Sequence, residues 1–142
     1  MIKPVSCENK NEWAQLACAL WPELTTTQAL QELADGKRPN EFIYYVDEQP
    51  AAFISLSLRH DYVEGTSSSP VGYLEGIYVK PDCRKRGIAN ELVQFAKQWS
   101  ISMGCTELAS DCELGNEASR IFHEHVGFTE ANRVICFTMG LN

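Results

Sequence analysis

The run Arg84-Lys85-Arg86-Gly87-Ile88-Ala89 stands directly after an apolar, strand-like stretch, Val71 to Val79, and directly before a helix-like one, Glu91 to Met103. A strand that feeds a basic, glycine-bearing turn and then a helix confines the chain to folds in which a helix packs on a sheet. The same junction is an anion trap. A helix start leaves backbone N–H groups without intrahelical partners, and the macrodipole adds positive potential there. Gly87 puts no side chain in the way, Ala89 keeps the approach narrow, and Arg84, Lys85 and Arg86 add charge. On charge alone such a cluster reads as a solvated face. Its position between strand and helix favours a pyrophosphate held by the backbone from Lys85 through Ile88 and Ala89 to Asn90.

Elsewhere the chain is acidic. Its 142 residues carry a formal net charge of −7, which disfavours nucleic acid as a general partner and suits a cationic ligand. Lys80, Arg84, Lys85 and Arg86 are four of the twelve basic residues, so one anionic and one cationic ligand fit together. The length suits one domain over residues 1–142, able to bury a core without staples. The six cysteines, with no signal peptide in view, read as reduced thiols of a cytoplasmic protein. No Cys-x-x-Cys occurs, and His123 and His125 point in different directions on a helix, so no metal is expected. No apolar stretch approaches a membrane span.

A first strand near Ile2 to Val5 precedes Asn9 to Leu20, where Trp13, Leu16, Ala17 and Leu20 fall at helical spacing and Pro22 marks the stop. Thr25 caps a second helix that runs to Ala34 and ends at Gly36. Phe42 to Val46 and Ala51 to Leu58 flank Asp47-Glu48-Gln49-Pro50 as a hairpin. Residues 60–70 form a polar loop before the strand Val71 to Val79. After the long helix come a strand at Glu107 to Asp111, a helix from Asn116 to His125, and two final strands at Thr129 to Ala131 and Arg133 to Thr138. This is an α/β layout with a mixed sheet.

The segment Leu74 to Ala89, followed by Asn116-x-x-Ser119, His123 and Gly127-Phe128, resembles the GCN5-related N-acetyltransferases. Their acetyl-CoA signature is Arg or Gln, two residues, Gly, one residue, then Gly or Ala; here these are Arg84, Gly87 and Ala89. Trp21-Pro22, Arg59-His60-Asp61-Tyr62-Val63, Ser68-Ser69-Pro70, Leu74-Glu75-Gly76-Ile77, Ala109-Ser110-Asp111 and Arg133-Val134-Ile135 extend the resemblance, over nearly the full length, to the short aminoglycoside 6′-N-acetyltransferases. The resemblance implies a mixed central sheet of about six to seven strands flanked by about four helices. It also implies direct transfer of acetyl from acetyl-CoA to the 6′-amine of aminoglycoside antibiotics in a ternary complex, giving resistance. Dimerisation through C-terminal strands is a further implication, and the apolar Val134 to Met139 could pair that way or close the chain's own sheet.

That chemistry assigns roles. Polarising a thioester carbonyl asks for preorganised main-chain N–H groups, which the resemblance puts at Ile77, Tyr78 and Val79, with Gly76 permitting a bulge. An alkylammonium must lose a proton before it attacks. Glu75, a charge in an otherwise apolar strand, suits the base or water-positioning role, although alternation alone would equally turn it to solvent. Asp111, at a strand end where open α/β sheets place ligands, suits the ammonium-binding role, and the two carboxylates could exchange roles. Trp21 and Tyr62 would line the drug pocket, with Asp61 a further ammonium contact. His123 stands where many family members have a tyrosine that protonates the departing thiolate; an imidazole can do this, or it can merely complement the helix dipole. Asn116 suits the pantetheine arm. Asn132 departs from the acidic residue found in this region of related enzymes. Rival readings are an acetyltransferase of a polyamine or protein amine, and a non-catalytic acyl-CoA sensor.

Overall fold

Alternation along one strand sorts the interior into two layers. The computed structural model describes residues 1–142, and the central strand is β3 (Gln49–Arg59), preceded by β1 (Ile2–Pro4), α1 (Lys10–Leu20), α2 (Thr26–Ala34) and β2 (Asn40–Val46). It is followed by β4 (Val71–Val79), a 3-10 turn (Pro81–Cys83), α3 (Ile88–Ser102), β5 (Leu108–Ser110) and α4 (Glu117–His125). Successive side chains of a strand point to opposite faces. Ala52, Ile54 and Leu56 of β3 therefore pack with Ile88, Leu92, Ala96 and Trp99 of α3. Phe53 points the other way, into Trp13, Leu16, Ala17 and Ala29 of α1 and α2. Ser55 and Ser57 follow Phe53 on that second face, where the interior turns from apolar to polar.

The sheet runs β1-β2-β3-β4-β5. The first three junctions are antiparallel, and α3 carries the chain back so that β5 lies parallel to β4. The hairpin is tighter than its sequence suggests. Asp47 and Glu48 alone make the turn, with φ of 49° and 66°, while Gln49 and Pro50 already pair with Val46 and Tyr45. Thr25 and Gln28 form a capping box that starts α2. The helix expected from Glu91 begins earlier, at Ile88, because Gly87 takes a left-handed φ of 79° that turns the chain into it. No helix is long and apolar enough to cross a membrane.

One expectation fails. The strands anticipated at Thr129 to Ala131 and Arg133 to Thr138 do not form, so the sheet has five strands rather than six or seven. A strand needs a partner for its ladder. The tail touches the 60–70 loop, where Asn132 Nδ2 donates to Glu64 Oε1 at 2.7 Å and a Cβ on Gly65 would lie 2.4 Å from that of Ala131. Beyond that crossing it leaves the sheet. Ile135, Phe137, Met139 and Leu141 are 73, 87, 83 and 91% exposed.

Candidate active site

β4 meets β5 only at Gly72, Tyr73 and Leu74, the last opposite Ser110. Past that point the two strands part, and every second N–H and C=O of Ile77, Tyr78 and Val79 points into the opening. A bulge sits at the parting. On the other side of β4, Ser55 pairs with Gly76 and Leu56 with Leu74, so Glu75 is the extra residue and its strand bends there. Gly76 has a steric reason to be glycine, since an added Cβ would lie 2.5 Å from Cζ2 of Trp21.

At the far end of the opening, Glu91 donates the first bond of α3 to the Gly87 carbonyl at 3.0 Å. The amides of Ile88, Ala89 and Asn90 thus have no intrahelical partner and face the approach to the helix. A Cβ at Gly87 would meet nothing within 4 Å, so the left-handed backbone, not crowding, calls for glycine. Arg84 behaves differently from a free cation. Its Nε donates to the Val79 carbonyl at 2.8 Å and its guanidinium lies over the Tyr78 ring, which latches the loop to the end of β4. Lys85 and Arg86 are exposed.

On the opposite face of the sheet lies a cleft of about 820 Å³, lined by Trp21 and largely by polar residues, among them Arg38, Glu41, Ser55, Ser57 and Glu75. The Trp21 ring meets Phe53 edge to face and carries the Arg38 guanidinium 4.5 Å above it. Glu75 is not a lone charge. Arg59 Nη2 donates to both its oxygens at 3.0 Å, and Ser57 Oγ donates to Oε2 at 2.5 Å. Arg59 in turn stacks on the Tyr73 ring at 3.4 Å, and the Tyr73 hydroxyl donates to Asp111. Burial, then the Asp111 hydrogen bond, holds the Tyr73 phenol above its ordinary range, so it stays a donor. Asp111 does not line the cleft itself but is joined to Glu75 through Tyr73 and Arg59.

Tyr62 and Asp61 stand apart. Tyr62 is 76% exposed and lines a separate hollow formed by the 60–70 loop, not the wall that holds Trp21. Asn116 caps α4 by accepting from Ser119 N at 3.1 Å, which leaves its amide nitrogen and one lone pair of Oδ1 for other contacts. His123 faces the sheet where β4 and β5 part. Its Nδ1 lies 2.7 Å from the Ser119 carbonyl, which can only accept, so that nitrogen is a donor; Nε2 lies 2.8 Å from Ser110 Oγ.

Sequence reasoning missed Glu41, Ser55 and Ser57 as cleft residues, and Arg59 as the partner of Glu75. The signal was present in β3, where Ala51, Phe53, Ser55, Ser57 and Arg59 change from apolar to polar at a period of two. Glu41 is only 3% exposed, and its carboxyl accepts from Trp13 Nε1 at 2.9 Å and Ser55 Oγ at 2.5 Å. Burial pushes its pKa up to about 7, against the opposing pull of Ser55, Arg38 and Trp13.

A strand-splayed sheet, a bulge beside the splay and an open helix start after a basic turn define a class, and residues 10–128 match the Acetyltransferase (GNAT) family. The chain belongs to that family. It is 40% identical over 139 residues to the aminoglycoside N(6′)-acetyltransferase type 1 of Acinetobacter baumannii, covering 96% of this chain and 95% of that one. The apo crystal structure of the aminoglycoside antibiotic 6′-N-acetyltransferase AAC(6′)-Ig from Acinetobacter haemolyticus superposes with a TM-score of 0.94 at 36% identity, covering 100% of this chain and 99% of that one. AAC(6′)-Iy in complex with the bisubstrate analog CoA-S-monomethyl-acetylneamine superposes with a TM-score of 0.90 at 35% identity, covering 99% and 98%.

Proposed function

We propose that residues 1–142 form one catalytic domain that transfers the acetyl group of acetyl-CoA to the 6′-amine of aminoglycoside antibiotics, and so confers resistance to them. The observation that carries this reading is the pairing of two sites on opposite faces of one bulged strand. On one face lies an anion-binding helix start, and on the other a carboxylate-bearing cleft. Acetyl-CoA supplies the activated acyl carbon. The residues present fit it: the Ile88, Ala89 and Asn90 amides, helped by Lys85 and Arg86, hold the diphosphate, and the open edge of Ile77, Tyr78 and Val79 receives the pantetheine arm, with the Asn116 amide nearby. The main-chain N–H groups of that edge also stabilise negative charge developing on the carbonyl oxygen.

Glu75 draws the ammonium into the cleft and accepts its proton, directly or through a water, and Arg59 and Ser57 hold the carboxylate until substrate arrives. Asp111 binds a second amine, positioned by the Tyr73 hydroxyl. Trp21 forms the apolar wall against which a sugar ring packs, and Tyr62 covers the substrate from the 60–70 loop. His123 reaches the parting of β4 and β5 through Nε2 and, in its doubly protonated form, gives that nitrogen's proton to the leaving thiolate while Nδ1–H stays on the Ser119 carbonyl. The protein works as a homodimer. Ile135, Phe137, Met139 and Leu141 recur every second residue in an exposed tail, so the tail carries the apolar alternation of a strand without a sheet to join. The sheet edge of a second copy would supply it. Free thiols at all six cysteines and a CoA thioester as substrate suit the reducing cytoplasm.

A thiol-release assay with acetyl-CoA tests the reading. Aminoglycosides with a free 6′-amine are expected to give turnover and those with a 6′-hydroxyl none; brisk turnover of spermidine without aminoglycoside turnover would overturn it. Light scattering on a chain truncated after Asn132 is expected to report a monomer where the full chain reports a dimer.

A further inference from the structure

Glu41 is a buried carboxylate without a counter-ion. None of the chain's ion pairs includes it, and Arg38, the cation nearest in the cleft wall, pairs with Glu32 at 3.0 Å and stacks on Trp21. An ionised carboxylate offers about four lone-pair sites, and the Trp13 and Ser55 donors occupy two of them. Burying such a group beside neutral donors alone is costly. Capping the Trp13 indole asks only for a neutral acceptor, which a glutamine would provide without that cost. A carboxylate at this place is explained if a cation arrives from the cleft that Glu41 lines.

The register supplies the spacing. Glu41 on β2 stands opposite Ser55 on β3, and Ser55 stands opposite Gly76, next to Glu75, on β4. Two strand spacings put the backbones of Glu41 and Glu75 about 10 Å apart across β3. Ser55 and Ser57 of β3 lie between them, each giving its hydroxyl to one of the two carboxylates. A ligand with one amine reaches one carboxylate, whereas a ligand with several amines on linked rings spans both.

We propose that Glu41 is a specificity-determining residue of the acceptor cleft, holding a further ammonium group of a polyamino substrate, distinct from the amine that reacts at Glu75 and from the one bound by Asp111. The proposal rests on the acetyltransferase reading above. The charged groups of the cleft around Glu41 are Lys37 and Arg38 from the turn before β2, Glu23 from the turn before α2, Glu32 and Asp35 from α2 and its end, and Glu75 from β4; Arg38 neutralises Glu32, Arg59 neutralises Glu75, and Glu23, Asp35 and Lys37 are exposed to solvent. On α1, Glu12 is taken by the Tyr45 hydroxyl at 3.0 Å. Glu41 is therefore the one buried carboxylate of the cleft without an ion pair, and the one that a substrate cation changes most. With its pKa near about 7, it is half protonated at neutral pH in the free protein and ionises fully when the ammonium docks.

The experiment is steady-state kinetics of the full chain and Glu41→Gln, with neamine as polyamino acceptor and 6-amino-6-deoxyglucose as monoamine acceptor. At about pH 8, Glu41→Gln is expected to raise KM for neamine roughly tenfold while kcat stays within about twofold, so that the preference for neamine over the monoamine falls roughly tenfold. At about pH 6 the difference should close, because the wild-type carboxyl is then protonated. Ser55→Ala keeps the carboxylate and removes a donor, so it is expected to move the opening of that difference to higher pH. A pH-independent KM change, or an equal loss of kcat with both acceptors, would mark Glu41 as merely structural and overturn the proposal. Wild-type turnover of neamine with Glu41→Gln indistinguishable from it would sink this inference alone. If the wild type turns over no aminoglycoside, the acceptor reading falls and this inference falls with it.

Discussion

The two faces of β4 solve recognition with different materials. Toward α3 the site is backbone: amides of Ile88, Ala89 and Asn90, and the unpaired edge of Ile77 to Val79. Toward α1 and α2 it is side chains: Glu41, Ser55, Ser57 and Glu75, drawn from three strands, with Arg59, Tyr73 and Asp111 linked behind Glu75. Backbone donors are set by local conformation, so a short motif specifies them. A side-chain constellation depends on register, so residues far apart in sequence must be placed by the whole sheet. The first kind suits a cofactor shared by many enzymes, and the second suits a substrate on which they differ.

If the contrast holds, single side chains should matter most in the cleft. Glu75→Ala is expected to lower kcat by roughly 10²–10⁴ with the KM for acetyl-CoA nearly unchanged, measured by thiol release; unchanged turnover would remove Glu75 from the chemistry. Glu41 gives a stability effect of known sign. Its folded-state pKa lies above the unfolded value of 4.5, so the stability it contributes is present below that value and is lost as pH rises through about 7. The loss amounts to about 3 kcal/mol. Urea unfolding at about pH 5 and pH 8 should therefore show Glu41→Gln gaining on the wild type as pH rises, by about that amount.

Smaller effects sharpen the line between the two faces. Gly76→Ala would push a methyl into Trp21 and is expected to cost about 1–3 kcal/mol in a thermal melt, raising the acceptor KM as the ring is displaced. Gly87→Val tests the backbone face. A β-branched residue at a φ of 79° is strained by about 1–2 kcal/mol or more, and the KM for acetyl-CoA should rise roughly tenfold with the acceptor KM unmoved. An equal change in both values would mean that the faces are not separable.

The order of helices and strands through α4, and the open helix start after the basic turn, were legible in the chain because each rests on neighbours. The 3.6-residue and two-residue periodicities and the turn glycine are such signals. Trp21 and Glu75 were legible as cleft residues through the family resemblance. Glu41 was hidden for a physical reason: a Glu at the start of an apolar strand reads as solvent-facing until Trp13 and Ser55 are folded onto it. Arg59 stands in the sequence only as part of a motif, and its stacking on Tyr73 and grip on Glu75 belong to the pairing of β3 with β4. The tail misled because alternation announces a strand without naming its partner.

Local order, then, was written in the residues as a string: which stretches turn, which extend, and where a helix begins with bare amides. Which carboxylates share a cleft, which one goes without a counter-ion, and whether the last apolar stretch joins the sheet were settled by packing. Those outcomes depend on contacts between residues tens of positions apart, and loop closure and burial choose among such contacts only when the chain folds as a whole.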